Sequence, residues 1–124
     1  MLLDSNMLIY GAKDANSPLD AILDRTDLAA TSITRIETLG FHRLSTLEKQ
    51  WLETAFDRMK ILLLEEAVAA RAIALRQERK MGLADAIIAA TALVHEMPLV
   101  TRNIVDFKHV ARLRLIDPFA TTEN

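Results

Sequence analysis

Four carboxylates stand apart from the other acidic residues of this 124-residue chain because of where each falls in the pattern. Asp4 directly follows the apolar start Met1-Leu2-Leu3, and Glu37 interrupts the face that Ile33, Ile36, Gly40, Phe41 and Leu44 would share on a helix advancing about 100° per residue. Asp85 opens an Ala-rich segment and shares a face with Ile88, Ala89, Ala92 and Leu93, while Asp106 follows the polar turn Thr101-Arg102-Asn103. Gathered in one place, such groups repel one another and raise each other's pKa unless a cation neutralises them. Hard oxygen donors, in a chain with no cysteine and no paired histidines, select Mg²⁺ or Mn²⁺ over zinc. An ion of that kind polarises a phosphodiester and lowers the pKa of an attacking water, so the chemistry would be phosphodiester hydrolysis.

Each acid also has a purely structural reading. Asp4 would serve as a helix N-cap worth about 1 kcal/mol, although Ser5 and Asn6 beside it would cap nearly as well. Asp85 in the first turn of a helix gains from the helix dipole, and Asp106 and Asn103 are ordinary turn formers after a strand. Glu37 is the hardest to explain away. On an apolar face it must pair with an arginine such as Arg35, take up a proton, bind a metal or open to solvent, because burying an unpaired carboxylate is costly. The three histidines, His42, His95 and His109, have no metal-ligand spacing and are assigned to packing or surface.

The elements that must position these acids alternate strand and helix. Met1-Leu3 reads as a strand feeding a helix, Asn16-Ser17 as the cap of a helix to about Arg25, and Asp27 to Thr31 as a second strand. Ser32 is expected to cap a helix from Ile33 to Leu44, and Ser45 another whose Leu47, Trp51, Leu52, Ala55, Phe56 and Met59 share one face. Ile61 to Leu64 reads as a buried strand, Glu65 to Lys80 as a helix stopped by Gly82, Met97 to Val100 as a strand, and Arg114 to Ile116 as a last one. This rhythm predicts an α/β fold, three layers with a central mostly parallel sheet, and ligand groups at the carboxyl ends of strands where strand order reverses. Asp4 lies at one such end; Thr101, Asn103 and Asp106 lie beyond another.

Composition sets the bounds. An apolar content of 51% with three Gly and three Pro suits one domain with a real core. Residues 1–118 are expected to form that domain and 119–124 a polar tail. A net charge of −2 is weak evidence against nucleic acid, since clustered acids can mask a basic face. The absence of cysteine, of a signal peptide and of an apolar run long enough to cross a bilayer suggests a cytoplasmic protein with no membrane association.

The motifs taken together are more specific than any single acid. Asp-Ser-Asn at the first strand end, Ser-Ile-Thr-Arg-Ile-Glu, Ala-Asp-Ala-Ile-Ile-Ala-Ala-Thr-Ala, and Leu-Val-Thr-Arg-Asn-Ile-Val-Asp-Phe resemble the PIN-domain family, most closely its small VapC-type toxins, over Leu2 to Pro118. The middle, Gly40 to Lys80, matches only in helical character. The resemblance implies that Asp4, Glu37 and Asp85 are metal-binding acids, with Asp106 or Asn103 as the last corner. Ser5 stands where the family often has threonine, and Asn6 and Thr101 are supporting polar residues. It further implies a Mg²⁺- or Mn²⁺-dependent endoribonuclease, the toxin of a type II toxin–antitoxin pair, with an RNA substrate, a homodimer and an antitoxin that inserts a peptide into the acidic site. Arg102, inside the site turn, is the first choice for a phosphate contact, with Arg76, Arg79, Lys80, Lys108, His109, Arg112 and Arg114 as further cations along a possible track. Two other readings stay open: a PIN nuclease acting in RNA processing or DNA cleavage, and a noncatalytic binding module whose acids are caps and ion pairs.

Overall fold

Parallel strands and the helices that cross between them make up most of the computed structural model, which describes residues 1–14 and 19–120. The strands are β1 (Leu2–Leu3), β2 (Ala29–Thr31), β3 (Lys60–Leu62), β4 (Leu99–Val100) and β5 (Leu115–Ile116). They form one sheet in the order β3-β2-β1-β4-β5, parallel at every pairing, with Leu2 beside both Ala29 and Leu99. Parallel pairing demands long crossovers. These are supplied by α1 (Ser5–Lys13), α2 (Leu19–Leu23), α3 (Ser32–Leu39), α4 (Thr46–Asp57), α5 (Glu66–Glu78), α6 (Leu83–Val94) and the single turn α7 (Ile104–Phe107).

Side-chain alternation along the strands divides the interior into two cores. Leu2, Ala29 and Leu99 join α5, α6 and Phe107 on one side, whereas Leu3, Ala30 and Val100 join α1, α2 and α4 on the other. The expected three-layer α/β architecture is therefore present. The buried Ala86, Ala89, Ala90 and Ala92 bring α6 close to the sheet and to α5, which fits the rule that a helix apolar on all sides is an interior helix.

Several expected boundaries move for identifiable reasons. The strand read as buried, Ile61 to Leu64, is β3 at the sheet edge; Leu63 and Leu64 lie past its end, 62% and 48% exposed. Thr31 rather than Ser32 caps α3, its hydroxyl accepting the Thr34 N–H at 2.9 Å, and Ser32 instead donates to the Leu62 carbonyl at 3.2 Å. That helix stops at Leu39, with Gly40 as its C-cap, and does not reach Leu44. Gly82 caps the start of α6; α5 has already ended at Glu78, where Arg79 turns extended. Ser45 does open α4, in a reciprocal capping box with Glu48. On the expected α4 face, Leu52, Ala55, Phe56 and Met59 are buried, but Leu47 is exposed. The expected cap Asn16-Ser17 lies outside the described residues.

Gly11 marks where α1 passes closest to its neighbours, since a Cβ there would run into the Trp51 ring and Leu19. Alanine would gain about 1 kcal/mol of helix propensity, but overpacking costs about 1–3 kcal/mol. Gly11→Ala is therefore expected to lower the melting temperature, and Gly11→Val to lower it further, as thermal unfolding followed by circular dichroism would measure.

Candidate active site

The strand order runs outward from β1 in two directions, so a crevice opens at the carboxyl ends of β1 and β4. Asp4 stands at the N-cap position of α1 but makes no cap bond with its side chain. The carboxylate, in a residue only 2% exposed, instead accepts a hydrogen bond from the Thr101 hydroxyl at 2.8 Å, and the Thr101 oxygen accepts the Asn103 N–H at 2.9 Å. One acid and one hydroxyl thus tie the two strand ends together. Burial pushes the Asp4 pKa above its ordinary value, against the Thr101 hydrogen bond, and the negative charges of Asp85 and Glu37 push it further up.

Glu37 reaches the same crevice from α3, though not as the periodicity suggests. Ile36 and Phe41, expected on the inward face, are 67% and 49% exposed; Thr34 and Thr38 are the buried positions of that helix. Glu37 itself is exposed at the cleft, and no cation lies within ion-pair distance of it among the described residues. The Ser5 hydroxyl, from the first turn of α1, donates to Glu37 Oε1 at 2.7 Å. Ser5 Oγ is also 3.0 Å from Thr34 Oγ1, which is 3.1 Å from Thr31 Oγ1. Sequence reasoning missed Thr31 and Thr34. The signal was the spacing of Thr31, Thr34 and Thr38, three and four residues apart and so on one helix face.

Asp85 lies half-buried in the first turn of α6, its pKa raised by burial and then by the charges of Asp106 and Glu37. Asp106, on α7, is exposed and accepts the Asn103 side-chain amide at 2.6 Å. A carboxylate can only accept, so the Asn103 NH₂ must face it. Asp4, Glu37, Asp85 and Asp106 thus belong to one network of mutual repulsion.

Cations flank the acids unevenly. Arg76 and Lys80 line a cleft with Gly82, Asp85 and Asp106, and Arg76 Nε also donates to the Met81 carbonyl at 3.1 Å. Arg102 points elsewhere: its guanidinium packs 4.9 Å from the Tyr10 ring centre and 4.3 Å from that of Phe119. There it borders a second cleft with Asn6, Tyr10 and Asn103. Arg112 and Arg114 line a hollow with Arg71 and Glu96, near the amino ends of β4 and β5, different from the cleft that holds Asp85 and Asp106.

The donors present fit a hard divalent cation. Carboxylate and hydroxyl oxygens supply them, and Asp4 and Asp85 are destabilised in the charged form, first by burial and then by the carboxylates around them. Among the described residues no three His, Asp or Glu side chains stand close enough together to hold a metal ion by themselves. An open arrangement suits an ion that keeps several waters and takes substrate oxygens.

Fold and site together define a three-layer α/β domain with an acid cluster where strand order reverses. The chain belongs to the PIN-domain family, whose model matches residues 1–113. This is a family of nucleases that generally use divalent metals. A toxin–antitoxin complex from Klebsiella pneumoniae contains a chain 31% identical, the match covering 97% of this chain and 98% of that one with a TM-score of 0.79. FitAcB from Neisseria gonorrhoeae is 27% identical over 97% and 99% of the two chains, with a TM-score of 0.76. DNA-bound VapBC from Salmonella typhimurium, at 22% identity, shares the fold with a TM-score of 0.82 over 94% and 96%. No curated protein sequence matches the chain. No helix among the described residues is long and apolar enough to cross a membrane.

Proposed function

We propose that this protein is a divalent-metal-dependent endoribonuclease and the toxin of a type II toxin–antitoxin pair. The observation that carries the reading is the burial of Asp4 without a capping role, within range of the Asp85 and Glu37 charges, Asp85 in turn being within range of Asp106. Likeness to the Klebsiella pneumoniae toxin–antitoxin complex supports the toxin assignment.

Asp4 and Asp85 are the core ligands for Mg²⁺, or Mn²⁺ in its place, with Glu37 and Asp106 acting through water or toward a second ion. When bound, the ion supplies Lewis-acid polarisation of the phosphodiester and lowers the pKa of water beside it. Thr101 holds Asp4 in one rotamer, Ser5 does so for Glu37, and Asn103 orients Asp106 instead of replacing it. Arg76 and Lys80 draw the RNA backbone toward Asp85 and Asp106. Arg102, packed on Tyr10 and Phe119, steadies a more distant phosphate. The groove where Ile9, Phe41, Leu44 and Leu52 lead to Glu37 suits the apolar segment of an antitoxin peptide ending in a cation at the acids. The exposed Ile36 and Leu47 suit a homodimer contact.

Incubating purified protein with total cellular RNA and Mn²⁺ or Mg²⁺, then sequencing the new ends, tests the activity. Discrete cuts made by the wild type and missing with Asp4→Ala are expected; identical RNA profiles for the two would sink the nuclease reading. Lys80→Ala is expected to weaken RNA binding for all sequences and to reduce the slope of log affinity against log salt by about 1. Filter binding of an RNA oligonucleotide in a Ca²⁺ buffer across a salt series measures it.

A further inference from the structure

Three hydroxyls stand in line behind Glu37, and proton bookkeeping gives the line a direction. Ser5, Thr31 and Thr34 are 6%, 2% and 0% exposed, so water does not compete for them. The Thr31 oxygen already accepts the Thr34 N–H at 2.9 Å, and among the described residues the one acceptor for its own proton is Thr34 Oγ1 at 3.1 Å. With that proton received, the Thr34 hydroxyl gives its own to Ser5 Oγ at 3.0 Å. Ser5 is left with one proton and one place for it, Glu37 Oε1 at 2.7 Å. In the reverse order the Thr31 proton would lose that acceptor and the carboxylate would lose its donor. Leaving a buried donor unsatisfied is costly, so the chain runs Thr31 to Thr34 to Ser5 to Glu37.

We propose, resting on the nuclease reading above, that Thr34 is a positioning residue for Glu37, which it directs through Ser5. Glu37 needs such support because it is exposed, on a helix that ends two residues later, with no cation beside it among the described residues. A hydrogen bond from a neutral donor to a charged carboxylate is short and strong, and it fixes the rotamer as well as the charge. Thr34 is fully buried and, among the described residues, hydrogen-bonds to none of the four acids. Its effect on them passes through the Ser5 proton.

Calorimetric titration of Mn²⁺ into the whole protein, with kcat and KM on an RNA oligonucleotide, tests this. Thr34→Val keeps the shape and removes the hydroxyl. It is expected to weaken Mn²⁺ binding and lower kcat, each about 10-fold, the lower end of what losing a ligand's hydrogen-bond partner does, with KM unchanged. Thr34→Ser should restore both. In a Glu37→Gln background the valine should add nothing, because the acid it acts through is gone; Thr34→Ala replaces it if the valine variant does not fold. Wild-type Mn²⁺ affinity and kcat in Thr34→Val would overturn the positioning role, as would a loss of full size in the Glu37→Gln background. Failure of the wild type itself to bind Mn²⁺ would overturn the metal site as well, and the wild-type titration alone separates that outcome from the others.

Discussion

Asp4→Asn is expected to lower the rate of RNA hydrolysis by about 10²–10³-fold or more, the loss that follows removal of one preorganised charge-stabilising group, while raising the melting temperature of the metal-free protein. Both effects come from the same burial. The carboxylate is taken out of water next to Asp85 and within range of Glu37, and its one side-chain hydrogen bond, from Thr101, does not bring its pKa back to the ordinary value. Asparagine still accepts that hydrogen bond and carries no charge to repel its neighbours. An acid that weakens the metal-free fold is expected where function, not stability, has selected it. Thermal melts in a chelator and RNA cleavage with Mn²⁺, run on the same two proteins, check the paired outcome.

Acidification gives the sign of this effect independently. Asp4 and Asp85 have folded-state pKa values above the unfolded value near 3.8, so the folded state binds their protons more tightly than the unfolded state does. Their cost to stability is complete at neutral pH, shrinks as pH falls through the raised values, and is gone below the ordinary value. The advantage of Asp4→Asn over wild type in metal-free melting temperature should therefore narrow from pH 7 downward. Arg25–Asp27 works in the opposite sense: Asp27 is held at about 2, and its contribution persists until far more acid conditions.

The second large effect is stabilisation by the ion. At about 100 times its dissociation constant, a ligand that binds only the folded state adds about 2.7 kcal/mol. For a domain of this size that is roughly a 10 °C rise in melting temperature, at about 4 °C per kcal/mol. Mn²⁺ or Mg²⁺ should produce it in the wild type, and Asp4→Ala and Asp85→Ala should abolish most of it. Differential scanning fluorimetry over a metal series reads this directly, and equal shifts in all three proteins would remove the acids from the site.

The acids were legible in the sequence because each breaks a local pattern: Asp4 ends an apolar strand, and Asp85 opens a helix with no other charge. The layers and the crevice at β1 and β4 follow from the strand–helix rhythm. What surrounds the acids was not legible. Thr34 and Thr38 count as polar in any periodicity, so the apolar residues Ile36 and Phe41 took the inward face of α3; the hydroxyls of Ser5 and Thr31 make a polar interior there favourable, and those come from other elements. Strand order is equally hidden in a run such as Ile61 to Leu64, whose composition suits a central strand but whose place is the edge. Asp106 and Asn103 could be told apart only in three dimensions, where the amide of one faces the carboxylate of the other.

The chemistry of the new RNA ends tests the central claim most directly. If water, activated at the acid cluster, attacks the phosphorus, the 2′-hydroxyl takes no part. Cleavage of a defined RNA should then leave no 2′,3′-cyclic phosphate, should survive a single 2′-deoxy substitution at the cut, and should stop with chelator or with Asp4→Asn. Cyclic phosphate ends, or cutting that persists in chelator, would contradict it.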